Sequence, residues 1–341
     1  MSLLSGLYGR AASLRRAWYE RHPDRARRLR QPVVSVGNLV VGGSGKTPVV
    51  AALARLLSAS GERPSILSRG YGRRRSIKKV VVVGDGREVL ATPLASGDEP
   101  QMLARARLGV PVLVSQARYL AGEVAERRFG CTVHLLDDGF QHLQLARDLD
   151  LLVVTRADLD ERVLPSGRLR EPLGAATAAD ALLVAGSGED AEMLSERLGV
   201  STTFLVTRCY EQPRRVEPFG AALPPSIGRR VMAVAGIARP ERFFATLRTE
   251  GWDVVGERTF PDHHWFTSND LESIRRAARA AKADVVMTTE KDAARLVPPV
   301  GAGPEWAFLP LHVQVEPADA FAAWLADRIA TARRRLGVVA A

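Results

Sequence analysis

Cysteine is scarce in this chain, with Cys131 and Cys209 alone among 341 residues. The pair supplies neither a disulfide framework nor the spacing of a zinc site, which suits a reducing compartment and leaves both as small apolar side chains. Long apolar runs are missing too. No stretch approaches the roughly 18–20 residues needed to span a bilayer. The short apolar segment near the N-terminus is broken by Arg10 and has no basic residues ahead of it, unlike a signal peptide. Aromatic residues are only 6% of the total, few for a surface that stacks nucleobases. There is no Asn-Lys-x-Asp stretch to select guanine, no internal repeat and no long low-complexity tract. What is present, 46% hydrophobic and 25% charged residues, belongs to a globular protein with core enough for two modest domains.

Acidic residues are also few in the first 30 positions. Eight arginines (10, 15, 16, 21, 25, 27, 28 and 30) face only Glu20 and Asp24, so this segment carries +6 of a net charge of +10. Charge confined to one end argues for a local contact with an anionic surface and against nucleic acid. At 100° per residue, Leu3, Leu4, Leu7, Tyr8, Ala11, Leu14 and Trp18 share one helical face edged by Arg10 and Arg15. Such a helix can lie in a bilayer interface. Residues 1–30 are therefore read as a membrane-contacting amphipathic segment of a protein that stays with ATP in the cytoplasm.

The stretch VVSVGNLVVGGSGKTPVVAALARLL, from Val33 to Leu57, reads as strand, glycine-rich turn and helix. Glycines let backbone N–H groups curl around an anion, and the helix N-terminus adds its dipole. Gly42, Gly43, Ser44, Gly45, Lys46 and Thr47 form the expected nucleotide cradle. Lys46 would reach the β- and γ-phosphates and Thr47 would ligate Mg²⁺. The strict pattern has glycine where this chain has Val40. Elsewhere, strand-like runs (80–83, 111–115, 132–136, 150–154, 181–185, 230–235, 252–256 and 284–288) alternate with helical ones (99–107, 117–128, 239–249, 268–281, 290–296 and 317–334). Alternation of this kind predicts an α/β fold: a P-loop NTPase-like, mainly parallel sheet with helices on both faces at 31–215, and a smaller α/β domain at 216–341. The proline-bearing segment 210–228 reads as the connection, with a ligand cleft between the two units.

Several clusters could carry chemistry. Asp137 and Asp138 follow an apolar strand, where a phosphate-loop enzyme places its metal carboxylate, and either could touch the metal. His142 next to them reads as a local hydrogen-bonding residue. Gly97-Asp98-Glu99-Pro100 opens a helix. Phe260-Pro261-Asp262-His263-His264 offers a histidine near a carboxylate for proton handling. Arginine in Ser68-Arg69-Gly70-Tyr71-Gly72-Arg73 and in Pro165–Pro172 could stabilise phosphoryl charge. Thr288–Asp292 reads as a helix cap with a possible site contact.

Taken together, VGNLVVGGSGKTP, SRGYGR, GDEP, LDDGFQH, LPSGRLREPL, FPDHH and TTEKD, in order from residue 36 to 292, resemble the tetraacyldisaccharide 4′-kinases of lipid A biosynthesis. That resemblance implies γ-phosphoryl transfer from Mg²⁺-bound ATP to the 4′-hydroxyl of an acylated disaccharide 1-phosphate, at the cytoplasmic face of the bacterial inner membrane. It implies Asp98 as general base with His263 as its partner, His264 being the adjacent alternative. It also implies Lys46 at the triphosphate, Arg170 near the transferring phosphate, and Thr47, Asp137, Asp138 and Glu171 near the metal. The chain is expected to act as a monomer. The rival is a phosphate-loop ATPase or GTPase switch, or a metallochaperone, with no lipid acceptor.

Overall fold

The computed structural model describes residues 3–338 apart from 43–44, 72, 74–79, 225–226 and 298–302. Its larger sheet contains β1 (Val33–Gly37), β2 (Pro64–Ser68), β3 (Val81–Asp85), β4 (Pro111–Val114), β5 (Val133–Asp137), β6 (Leu149–Val154), β7 (Ala181–Val184) and β8 (Thr203–Tyr210). The smaller sheet contains β9 (Arg214–Arg215), β10 (Arg230–Ala235), β11 (Asp253–Thr259), β12 (Val285–Thr289) and β13 (Glu305–Leu309). A last strand, β14 (Leu311–Glu316), returns to the larger sheet, whose order is β14-β8-β7-β6-β1-β5-β2-β4-β3. Only its edge strands β3 and β14 run antiparallel to their neighbours. The smaller sheet runs β11-β10-β12-β13-β9, antiparallel only at β9.

The helices are α1 (Leu3–Arg21), α2 (Lys46–Ala59), α3 (Pro93–Ser96), α4 (Asp98–Arg105), α5 (Arg118–Phe129), α6 (Gly188–Leu198), α7 (Pro240–Thr249), α8 (Ser268–Ala280), α9 (Glu290–Ala293) and α10 (Ala318–Leu336). The central strands β1 and β5 are buried at every residue, as expected for a parallel sheet covered on both faces. Val49, Val50, Leu53 and Leu57 of α2 pack on one face with Leu103 of α4 and Phe321 and Leu325 of α10. Ala121 and Ala125 of α5 pack on the other face with Leu29, Leu67 and Leu136. In the smaller unit, α7 and α8 cover opposite faces.

The C-terminal boundary differs from the expected one. Residues 216–341 are not one domain: β14 pairs with β8, and the apolar face of α10 fills the core of the larger unit. The smaller unit is an insertion between β8 and β14.

The outward and inward faces of α1 are reversed from those of an ordinary surface helix. Leu3, Leu4, Leu7, Tyr8, Leu14 and Trp18 are exposed, Leu3 at 83% and Leu14 at 70%, whereas Ser5, Gly9 and Arg16 are buried against the protein. A small and polar stripe docks, and the apolar stripe faces outward. No helix among the described residues is long and apolar enough to cross a membrane.

Candidate active site

Parallel strands end together, so the loops after β1 and β5 meet. Val36 pairs with Asp137 in register, and Gly37 lies so close to the Phe140 backbone that a Cβ there would collide with it. The turn after β1 passes through Gly42 (φ 99°) and Gly45 (φ 86°), left-handed conformations that favour glycine. Gly43 and Ser44 lie outside the described residues. Lys46 and Thr47 open α2 and are buried. Lys46 Nζ donates to Asn38 Oδ1 at 2.9 Å and lies 3.4 Å from Asp138 Oδ1.

Asp137 and Asp138 sit side by side in unlike surroundings. Asp137 is buried with Oδ1 unpartnered, and burial, then the charges of Glu99 and Asp138, push its pKa up to about 8. Burial acts the same way on Asp138, but Lys46 and Arg170 outweigh it and hold that carboxyl below its usual value. Arg170 Nη1 reaches both Asp138 oxygens at 2.7 Å. Arg168 Nη2 donates to the Val41 carbonyl at 2.7 Å, bracing the phosphate loop. An orphaned buried carboxylate oxygen with a second acid next to it fits a hard divalent cation with oxygen ligands. Among the described residues no group of three or more His, Cys, Asp or Glu could hold a metal alone, so nucleotide oxygens would have to complete the shell.

Glu171 departs from its expected place at the metal. Its Oε2 accepts from Arg16 Nε at 2.9 Å and from Arg16 Nη2 at 2.6 Å, inside the contact between α1 and the body. The chain bends at these two residues, and Arg170 turns to Asp138 while Glu171 turns to α1. His142 is also no acid–base group near neutrality: burial, then the charges of Arg118, Arg147, Arg15 and Arg69, drive its pKa down to about 3.

Asp98 begins α4 just after Gly97, whose φ of 88° and tight seat on the Tyr71 carbonyl leave no room for a Cβ. That carboxylate is buried, yet it faces three cationic or protic groups from the smaller unit. His263 Nδ1 lies at 2.8 Å, Arg295 Nη1 at 3.4 Å and Lys291 Nζ at 3.9 Å. His263 comes from the loop after β11, and Lys291 of α9 and Arg295 of the turn beyond it follow β12. His263 holds a left-handed backbone (φ 61°), as does Asp138 (φ 56°), a strain of order 1–3 kcal/mol that clusters at functional sites. His264 instead contacts Asp270 Oδ2 at 3.0 Å and stacks on Phe260. The geometry thus brings His263, and not His264, to Asp98.

Lys291 also settles the tautomer of His263. Its Nζ lies 3.2 Å from His263 Nε2. An ammonium has protons only to give, so Nε2 accepts and Nδ1 carries the proton donated to Asp98. Burial would raise the Asp98 pKa, but the His263 hydrogen bond and the charges of Lys291 and Arg295 win and lower it. Asp98 is therefore a carboxylate throughout the neutral range, and its favourable interactions are lost only as pH falls below the ordinary carboxylate value through its lowered one. Lys291→Met is expected to move the acid limb of the kcat/KM–pH profile upward, toward neutrality. A profile superimposable on the wild type would contradict this electrostatic role.

Arg295 and Asn38 were not legible as site residues. Arg295 lies one turn beyond Lys291, and its guanidinium bridges Asp292 and Asp98. Asp292 is fixed in turn by the Gly236 N–H at 2.9 Å and by Thr289 Oγ1 at 2.8 Å. The helical spacing to Lys291 was the available signal; the partner 197 positions upstream was not. Between the units lies a cleft of about 290 Å³. It runs from Lys46 and Thr47 along Ala51 and Arg55 of α2, against Ile237, Phe243 and Leu309. Eight residues of helix cover about 12 Å, which suits an extended nucleotide with phosphates at Lys46 and base toward Arg55.

Comparisons with known proteins bear on family and fold. The family described as Tetraacyldisaccharide-1-P 4′-kinase matches residues 1–330. Tetraacyldisaccharide 4′-kinase of Syntrophus aciditrophicus (strain SB) is 38% identical, with 94% of this chain and 90% of that protein covered. The enzyme of the same name from Koribacter versatilis (strain Ellin345) is 41% identical, with coverage of 86% and 87%. Among solved structures, an "apo" form of LpxK from Aquifex aeolicus in complex with ATP superposes with a TM-score of 0.79 at 32% identity, covering 96% of this chain and 97% of that one.

Proposed function

This chain belongs to the tetraacyldisaccharide 4′-kinase family, and from that premise we propose how its residues divide the reaction. The protein is a kinase that uses ATP and Mg²⁺ to phosphorylate the 4′-hydroxyl of a tetraacyldisaccharide 1-phosphate, a lipid A precursor. The phosphate loop, Lys46 and Thr47 bind the triphosphate. Thr47 with Asp137 and Asp138 would hold Mg²⁺, which would neutralise phosphate charge. Arg170 keeps Asp138 turned to Lys46 and stands near the transferring group.

Asp98 accepts the proton of the sugar hydroxyl as it attacks. A sugar hydroxyl is a weak acid, so attack needs a positioned acceptor. His263 Nδ1–H orients that carboxylate, and Lys291 orients the histidine. The observation that carries this reading is the 2.8 Å contact between Asp98 of the larger unit and His263 of the smaller. It joins the two units beside the cleft that Lys46, Thr47 and Lys291 line, and supports water exclusion during transfer. Incubation with γ-labelled ATP and an acyl-disaccharide 1-phosphate tests the reading: label should appear on the distal sugar, with little release as inorganic phosphate when acceptor is absent. Rapid hydrolysis without acceptor would favour the switch or metallochaperone alternative.

We further propose that α1 holds a monomeric enzyme on the cytoplasmic face of the inner membrane. An acylated acceptor leaves a bilayer at a cost of about 0.8 kcal/mol per CH₂ exposed, so the enzyme must approach it. The outward Leu3, Leu7, Leu14 and Trp18 supply the apolar contact, and each arginine near anionic lipid adds about 1 kcal/mol. Leu7→Glu with Leu14→Glu is expected to abolish co-sedimentation with anionic vesicles without lowering the melting temperature, since both side chains are exposed. Undiminished vesicle binding would remove α1 from the membrane role.

A further inference from the structure

The segment from Val163 to Pro172 is gripped on two sides. On one side, α1 holds it at three points. Ser5 Oγ meets Ser166 Oγ at 2.7 Å, Gly9 leaves a gap that brings Val163 and Pro172 within 3.6 Å of where its Cβ would stand, and Arg16 binds Glu171. On the other side, the same segment reaches the phosphate site through Arg168 on the Val41 carbonyl and Arg170 on Asp138. Arg168 and Arg170 meet the phosphate loop and the acidic pair; Ser166 and Glu171 meet the helix.

Arg16 joins the two sides most tightly. It is 6% exposed on a helix that otherwise buries only Ser5 and Gly9. Besides Glu171, its Nη2 donates to the Phe140 carbonyl at 3.2 Å, and its guanidinium lies over the Phe140 ring at 4.4 Å. Phe140 stands two residues after Asp138 and packs against Gly37 at the end of β1. Arg15 Nη1 adds a bond to the Gln141 carbonyl at 3.2 Å, and Gln141 Nε2 in turn donates to the Asn38 carbonyl at 3.0 Å. From α1 to Lys46 the path is continuous: Arg16 to the acidic loop through Phe140, and Arg16 to Arg170 and Asp138 through the neighbouring Glu171.

We propose that Arg16 is a positioning residue for phosphoryl transfer, carrying the seating of α1 into the placement of Asp138, Arg170 and the phosphate loop. This rests on the reading above that Arg170 and Asp138 serve the triphosphate and that α1 meets the membrane. A helix in the bilayer plane then acts as a mechanical reference as well as an anchor: an enzyme correctly seated on its lipid has an ordered phosphate site, and one whose α1 is loose does not. A buried arginine with a carboxylate, a carbonyl and an aromatic face as partners is not replaced by lysine, whose single ammonium cannot fork between them.

Two variants test it, each assayed in detergent–lipid micelles with saturating acceptor. Arg16→Lys keeps the charge opposite Glu171, and Arg16→Met with Glu171→Gln removes both charges so that no lone ion is buried. Misplacement of about 1 Å costs up to roughly 100-fold. Both variants are therefore expected to lose between roughly tenfold and 100-fold in kcat, and to bind ATP more weakly, while vesicle binding and KM for the lipid stay at wild-type values because the outer face of α1 is untouched. Wild-type kcat in the doubly substituted protein, or a loss of activity matched by an equal loss of vesicle binding, would overturn the proposal. Failure of the membrane reading shows separately, as wild-type protein that ignores vesicles.

Discussion

Asp98→Asn is expected to lower kcat by roughly 10²–10⁴-fold, the usual worth of a positioned general base, with little change in ATP affinity. The substitution keeps the shape of the side chain and its seat at the start of α4, so the phosphate loop in the same unit is undisturbed. What it removes is the carboxylate that His263, Lys291 and Arg295 surround. Steady-state turnover with saturating lipid and ATP, beside an independent ATP titration, separates the two effects. Near-normal turnover would remove Asp98 from the base role. Arg295 keeps Asp292 and Lys291 keeps Asp262 as partners, so the loss of thermal stability that accompanies the loss of rate is modest.

Lys46→Met should be nearly as damaging, by a different route. The Lys46 ammonium stands between Asn38 and Asp138 at the mouth of α2, where charge builds on the transferring group. Loss of one electrostatic stabiliser of this kind costs roughly 10²–10³-fold in rate, and a lysine that also grips the ground-state triphosphate raises KM for ATP. The two substitutions are therefore distinguishable: Asp98→Asn changes kcat alone, whereas Lys46→Met changes both constants. Unaltered ATP kinetics in Lys46→Met would refute the phosphate-loop assignment.

Local pattern carried much of this architecture. The β-branched run before Gly37, the glycine turn and the alanine-rich α2 lie where their spacing put them, and the helix expected at 3–18 extends to Arg21. Strands β2 and β8 were missed for opposite reasons. In β2, proline and serine dilute a five-residue strand; in β8, arginine, cysteine and threonine break the apolar run near an edge. The helix expected at 317–334 was placed with the wrong unit, because alternation says what an element is and not where it packs, and the two strands before it, β13 and β14, were not expected at all. At the site, Lys46, Thr47 and the acidic pair follow from strand-end position. Asp98 and His263 stand 165 residues apart, and only the family resemblance linked them before folding did. Arg295 joined that pair from outside every motif, and Glu171 is taken up by Arg16 of α1, a partner 155 positions away that no local pattern announces.

Whether the two units act as one catalytic device is decided most directly by a double-mutant cycle on kcat for Asp98→Asn and His263→Ala, read as γ-phosphoryl transfer to the acyl-disaccharide. Residues that work as a unit are strongly non-additive. If His263 acts through Asp98, its removal is costly in the wild type and nearly without effect once Asp98 is replaced. Losses that simply multiply would show that the histidine acts independently, and the assignment of Asp98 as a base held in place from across the cleft would fall.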